Sequence, residues 1–256
     1  MNKGIGIAGI AGRMGQLLAE EVAAAGLKLV GGIGRAASPA GHVLFPDIAA
    51  LAAASDVVVD FTHASTAVAH AQAIADAGCC WVLGTTGLDA GQEAAVAAAG
   101  RRTAVVYAPN YSPGVTLLMA LAEKLGAALP AESYDAEIVE MHHRQKVDAP
   151  SGTAVGLGRA VAKGRGVRLE DVTESGRDGH TGARKTGAIG FAALRGGQVV
   201  GEHTVLFAAA NEHIALSHRA FDRRAFATGA IRAAAWVRGK PAGLYGMLDV
   251  LGMSGA

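Results

Sequence analysis

Residues 140–154 read Glu-Met-His-His-Arg-Gln-Lys-Val-Asp-Ala-Pro-Ser-Gly-Thr-Ala. The run begins where an apolar stretch, Tyr134 to Met141, stops, and it ends where a helical pattern opens at Ser151. Between them lie the imidazoles of His142 and His143, the fixed cations Arg144 and Lys146, and the turn Ser151-Gly152-Thr153 after Pro150. Imidazoles ordinarily titrate near neutrality and suit proton transfer. An ammonium is a compact charge for a carboxylate, and the amides at a helix start favour an anion. Together they describe an anion pocket that carries its own proton donor. The alternative is a solvated connector whose charges cluster without a ligand.

A second group with chemical potential stands at the front of the chain. The apolar run Gly4 to Ala8 leads into Gly9-Ile10-Ala11-Gly12-Arg13-Met14-Gly15, and a helical pattern continues to Ala25. Strand, glycine turn and helix in that order are the context of a dinucleotide fingerprint. There the glycines let the backbone approach a pyrophosphate seated on helix amides. Ala11 replaces the usual middle glycine, so the alternative is an ordinary tight turn. Gly26 then closes the helix and Leu27 to Ile33 supplies a second strand. The end of that strand reads Gly34-Arg35, with no carboxylate before Asp47. Because an acid there serves NAD and an arginine serves NADP, this predicts that NADPH is accepted and preferred over NADH. A solvated loop arginine is the competing reading.

The elements that position these groups follow from the periodicity. Helical and apolar stretches alternate at Ile48 to Ala54, Val57 to Phe61, Ser65 to Ala77, Cys79 to Leu83, Asp89 to Ala99 and Thr103 to Tyr107. Near-continuous apolar strands between helices predict a Rossmann-like, doubly wound parallel sheet whose ligands collect at the carboxyl ends of the strands. At such ends lie Gly84-Thr85-Thr86-Gly87 and Ala108-Pro109-Asn110-Tyr111-Ser112, suited to ribose and nicotinamide. Asp60-Phe61-Thr62 ends another strand, with side chains expected to be structural. An amphipathic helix, Val115 to Ala128, ends at Pro130 and marks a hinge into a second, smaller α+β domain. That domain is predicted to hold a strand at Tyr134 to Met141, a helix at Gly152 to Lys163 and a mobile cationic loop at Ser175 to Arg184. Strands follow at Ile189 to Leu194, Val199 to Phe207 and His213 to Ser217, joined by hairpins at Gly196-Gly197 and near Asn211-Glu212 in a mixed or antiparallel sheet. Ala225 to Val237 reads as a helix and the rest as an irregular tail. One open sheet face predicts a homo-oligomer.

Composition narrows the function. The 256 residues are 51% hydrophobic with a formal net charge of +1, and mean hydropathy is +0.29. No basic stripe appears, so a nucleic-acid partner is not expected. Absence of a signal peptide and of a long uncharged apolar run predicts a soluble cytoplasmic protein with no membrane partner. Cys79 and Cys80 are adjacent, which disfavours a disulfide between them.

The pattern Glu140-x-His142-His143-x-x-Lys146-x-Asp148-Ala-Pro-Ser-Gly-Thr-Ala154 resembles the signature of the dihydrodipicolinate reductase family. The resemblance spans nearly the whole chain. It takes in Gly9-x-x-Gly12-Arg-Met-Gly15, Gly84-Thr-Thr-Gly87, Asn110-x-Ser112-x-Gly114, Gly179-His-Thr-Gly182, Gly187-x-Ile-Gly-Phe191 and Gly201-Glu-His203. It implies a dinucleotide-binding domain at 1–112 and 221–256 and a substrate-binding, tetramerising domain at 113–220. The substrate would be a cyclic imine dicarboxylate of the diaminopimelate route to lysine, reduced by NADPH or NADH within a homotetramer. By the same resemblance His142 is the proton donor/acceptor and Lys146 a proton donor. His143, Ser151, Gly152 and Thr153 meet substrate. Gly9, Ile10, Ala11, Gly12, Arg13, Met14 and Arg35 meet cofactor, as do Gly84, Thr85, Thr86, Ala108, Pro109, Asn110 and Tyr111. Gly34 departs from the acid usual in relatives, in line with the reading of Arg35.

Other readings account for less. A metal at His142-His143 is not expected, since adjacent strand residues face opposite ways and no further ligand falls at a suitable spacing. An aspartate dehydrogenase-like enzyme would share the first domain and leave the polar run unexplained. A non-catalytic NADP sensor would bind cofactor without needing Lys146.

Overall fold

The computed structural model describes residues 3–34 and 41–254; Arg35 lies outside the described residues. Down the chain run β1 (Ile5–Ala8), α1 (Arg13–Ala24), β2 (Leu29–Ile33), α2 (Ile48–Ala54), β3 (Val57–Asp60), α3 (Ala67–Asp76), β4 (Cys80–Leu83), α4 (Ala90–Gly100) and β5 (Ala104–Tyr107). Then come α5 (Pro113–Ala128), β6 (Asp135–His142), α6 (Gly152–Gly164), α7 (Leu169–Val172), β7 (Thr173–Ser175), β8 (Ile189–Arg195), β9 (Gly201–Ala208) and β10 (His213–Ala220). The chain finishes with α8 (Arg224–Val237), β11 (Gly243–Tyr245) and α9 (Met247–Val250). It divides into two compact units, one of 1–113 with 224–256 and one of 114–223.

The first unit holds a six-stranded sheet in the order β11-β5-β4-β3-β1-β2, parallel throughout. Its short strands are apolar almost throughout, so both faces must be covered. Val57, Val59, Val82 and Val106 pack under α1, α8 and α9, whereas Val58, Trp81, Leu83 and Val105 pack under α2, α3 and α4. Arg224 ties the start of α8 to α1 through Glu20 and Glu21 at 2.6 and 2.8 Å. The expected irregular tail is corrected here. Residues 243–245 add an edge strand beside β5, and α9 follows. Three residues carry too little periodicity to announce a strand, and only pairing with β5 makes one.

In the second unit the strand order is β10-β9-β6-β8-β7. β10, β9 and β6 pair antiparallel, while β6, β8 and β7 pair parallel. The expected hairpin at Gly196-Gly197 does not exist, because β6 lies between β8 and β9 and their connection crosses its end. The Asn211-Glu212 connection is a true hairpin, closed by Ala209 N donating to Glu212 O at 2.9 Å. Alternation places Ala136, Ile138, Val205 and Phe207 on one core with Leu118, Leu157 and Val161 of α5 and α6. The opposite face is open, with Val139 and Leu194 exposed. Glycine-rich as it is, the 175–184 loop is tied down: Arg177 and Arg184 both donate to the Glu137 carboxylate.

α8 docks through a glycine. A Cβ on Gly229 would stand 1.7 Å from the Tyr111 carbonyl oxygen, so Gly229→Ala should destabilise by about 1–3 kcal/mol or more. At Gly156 of α6 the added atom meets only the flexible end of Met119, and Gly156→Ala should be tolerated. Thermal melts of the two variants should separate clearly.

Candidate active site

In the first unit the turn from β1 to α1 is built on glycine geometry. Gly9 sits at φ +87°, and its carbonyl accepts from Gly12 N at 2.9 Å. A Cβ on Gly15 would fall 2.1 Å from Gly9 O, so only glycine lets α1 close on the turn. Gly12 is the N-cap of α1 and no side chain caps that end. Gly9, Ala11 and Gly12 line a cavity of about 890 Å³ with Ile33 and Gly34 at the end of β2. Phe61, Thr62, His63, Ser65, Thr66 and His70 form its other wall.

That wall is organised by Asp60, which is fully buried. It accepts from Thr62 N and Oγ1 at 3.1 and 2.6 Å and from His70 Nδ1 at 2.7 Å. Thr85 Oγ1 donates to Thr62 O at 3.1 Å, joining the turn after β4 to the turn after β3. Gly84 must lack a Cβ, which would stand 2.3 Å from the Phe61 ring. Phe61 and Thr62, expected to be merely structural, thus face the cavity, while Asp60 is the structural member. The sequence signal available was their place at a strand end beside β1.

Other expected cofactor residues take different positions. Ile10 points into the core and Arg13 is exposed; Thr86 and Pro109 are exposed, and Ala108 is buried. Asn110 Oδ1 accepts from Ser112 N at 2.8 Å. Tyr111 is a core residue whose hydroxyl lies 2.9 Å from both Leu83 O and Val106 O, and burial pushes its phenol well above the usual range. Its side chain is therefore closed to a ligand. Asp47, the first carboxylate after β2, caps α2 by accepting from Ala50 N at 2.8 Å. A glycine-lined turn, uncapped helix amides and this cavity fit a bound dinucleotide.

The second unit supplies a different surface. Strand register orders the inner face of its sheet into rows. Ala136, Phe207 and Ile214 form one row and Ile138, Val205 and Leu216 the next; Glu140, His203 and His218 form the third. His142 follows, opposite Arg195 of β8. The face is therefore apolar until the end of β6, where it becomes ionisable. The β8–β9 connection fastens that end: His143 N donates to Val199 O at 2.8 Å and Gly196 N to His142 O at 3.0 Å.

Glu140 is 1% exposed and accepts from four donors. Arg195 grips it with two nitrogens at 2.8 Å each, Ser151 N lies at 3.1 Å, and His142 Nδ1 at 2.5 Å. Burial by itself would raise the Glu140 carboxyl; Arg195, His142 and the Ser151 amide outweigh it and hold the group below its ordinary value. Ser151 Oγ caps α6 by accepting from Ala154 N at 3.2 Å and contacts His203 Nε2 at 3.0 Å. The rings of His142 and His203 meet edge-on, 5.0 Å between centroids. Lys146 Nζ pairs with the half-exposed Asp148 at 2.8 Å, and Gly152 faces open space. So His142, His143, Lys146, Ser151, Gly152 and Thr153 gather at one end of the unit. Arg195 and His203, given no role from sequence, complete the set. His203 was legible only as part of Gly201-Glu-His203; Arg195 gave no local signal.

Comparison with known proteins decides the family. The models for the N-terminal and C-terminal parts of dihydrodipicolinate reductase match residues 3–111 and 114–251. The chain belongs to the dihydrodipicolinate reductase family. It is 66% identical over 253 residues to the 4-hydroxy-tetrahydrodipicolinate reductase of Granulibacter bethesdensis, covering 97% of each. The enzyme of the same name from Acidiphilium cryptum is 61% identical over 249 residues, again covering 97% of each. Among solved structures, the dipicolinate-bound dihydrodipicolinate reductase of Paenisporosarcina sp. TG-14 aligns with a TM-score of 0.78 at 25% identity, over 96% of this chain and 97% of that one. As a dihydrodipicolinate reductase family member with a Rossmann-like unit, the protein is an oxidoreductase that takes a nicotinamide dinucleotide. Among the described residues no helix is long and apolar enough to cross a membrane.

Burial, and then the neighbouring charge of His142, push the His203 ring down from 6.5 to about 4. The unfolded chain therefore takes up that proton first. The contribution is fully present above about pH 6.5 and is lost as pH falls towards 4. Between pH 7 and pH 4.5 this group should remove about 2–3 kcal/mol of stability. Urea melts of His203→Gln should lack that part of the slope.

Proposed function

We propose that this chain catalyses the NAD(P)H-dependent reduction of 4-hydroxy-tetrahydrodipicolinate to tetrahydrodipicolinate in the diaminopimelate route of lysine biosynthesis. The observation that carries the proposal is the meeting of His142 and the start of α6 on a buried, charge-paired Glu140, with Lys146 tied to the same cluster through Asp148 and Arg195. Family membership supports the substrate class. The reaction consumes a hydride and a proton and releases the 4-hydroxyl as water. The nicotinamide supplies the hydride when bound. Gly9 to Met14 hold its pyrophosphate, and the 84–86 and 108–111 turns hold the nicotinamide side.

This chain's residues then handle charge and protons. A conjugated imine that accepts hydride gains an electron pair and must receive a proton. His142 serves as proton donor/acceptor, and Lys146 both attracts a substrate carboxylate and donates. The Lys146–Asp148 pair is open to solvent on the Asp148 side, and such pairs are held weakly. A substrate carboxylate can therefore exchange with Asp148. His143 and the Gly152 and Thr153 amides take the second carboxylate, aimed by Ser151, whose own hydroxyl is occupied by the cap and by His203. The dipicolinate recorded in the Paenisporosarcina enzyme is a planar ligand of this class.

The Gly34-Arg35 sequence at the end of β2, with an arginine and no acid directly after the strand, supports NADPH over NADH. The open face of the second sheet, with Val139 and Leu194 exposed, suits a homotetramer. The biosynthetic role is compatible with the cytoplasm.

The upstream synthase product, generated in situ, should cause nicotinamide oxidation with NADPH and more slowly with NADH. No oxidation with either cofactor would remove the assignment. Lys146→Ala should lower kcat/KM by about 10²–10⁴-fold, the usual worth of a positioned proton donor, while cofactor affinity changes less than about twofold. A cofactor sensor with no turnover would not distinguish this variant from the parent.

A further inference from the structure

The reductase reading leaves Glu140, Arg195 and Gly201 without a task. We propose that Glu140 is a positioning residue that fixes the tautomer of His142, holding the proton on Nδ1 so that Nε2 is the nitrogen presented to substrate. The inference rests on the role given to His142 above and deepens it.

Geometry carries the argument. Glu140 Oε1 accepts from Arg195 Nη2 and Ser151 N, and Oε2 accepts from Arg195 Nη1 and His142 Nδ1. A guanidinium fork is always a donor, and with the backbone amide it leaves only acceptor positions for the ring. An ionised carboxylate has no hydrogen to give, so Nδ1 must be the donor in the 2.5 Å contact. The lowered titration range of Glu140 agrees with its being ionised. Nε2 is then the basic nitrogen of the neutral ring and the outer N–H of the imidazolium.

The surroundings leave room beside Nε2. Gly201 lies on the neighbouring strand, and a Cβ there would stand 3.1 Å from His142 Nε2. His203 meets the ring edge-on and is itself held at Nε2 by Ser151 Oγ. A carboxylate on one nitrogen and a ring against its side set the orientation, and a glycine leaves room beside the working atom.

The test is direct. Long-range ¹H–¹⁵N spectra of the uniformly labelled protein report which imidazole nitrogen is protonated, and loss of one set of signals in His142→Asn assigns the ring. The expected result is an Nδ1–H ring in the neutral form. Glu140→Gln should lower kcat by about 10-fold or more, because a carboxylate that fixes the tautomer of a proton-transferring imidazole is lost. Pyridine-2,6-dicarboxylate should still bind the variant, because none of the side chains proposed to meet the dianion is replaced. A parent ring protonated on Nε2 would overturn the proposal even if Glu140→Gln failed to fold. So would a Glu140→Gln enzyme with unchanged kcat. The tautomer is read without turnover: an Nδ1–H ring in a protein that never oxidises nicotinamide would overturn the reductase reading alone.

Discussion

A carboxylate removed from water has to be paid in full with donors, and Glu140 is the residue on which the second unit is arranged to do so. Its partners come from the end of β8, the first turn of α6 and its own strand. Leaving such a charge unpaired is far costlier than never burying it, so these elements are held to one geometry. The parallel register that sets His142 opposite Arg195 delivers the guanidinium. Arg195 also donates to Asp148 O at 2.6 Å, which fixes the segment carrying Lys146. One buried charge thereby locates the imidazole, the ammonium and the helix start.

The two units solve their binding problems by opposite means. In the first, function depends on what is missing: side chains at Gly15 and Gly84 would fill space the backbone and Phe61 need, and Gly9 takes a positive φ. Its buried polar pair, Asp60 with His70, shapes the turn that brings Phe61, Thr62 and His63 to the cavity wall. In the second, function depends on charged side chains placed by alternation. A strand whose inward residues run Ala136, Ile138, Glu140, His142 is a core strand for half its length and a site for the other half. That division is why a lowered His203 and a lowered Glu140 coexist within one row of the sheet.

Much of this was legible locally. The glycine turn, the apolar parallel strands and the polar run each announce themselves within about fifteen residues, and the family resemblance added their roles. What stayed hidden depends on pairing across long separations. Arg195 is 55 residues from Glu140 and His203 is 52 from Ser151; nothing in a local window connects them. The same cause produced the false hairpin, since Gly196-Gly197 looks like a turn between neighbours until β6 is found between β8 and β9. β11 is a strand only because β5 offers it an edge. Asp47 seemed a distant acid after β2 and proves both to cap α2 and to line the cavity.

The central claim is that the end of β6 and the start of α6 grip two carboxylates at once. Calorimetric titration of the protein, loaded with reduced cofactor, with pyridine-2,6-dicarboxylate and then with pyridine-2-carboxylate addresses it most directly. A second carboxylate bonded to charged and amide donors is worth more than about 1.4 kcal/mol, so the diacid should bind at least about tenfold tighter. Equal affinity for the two acids would contradict the account.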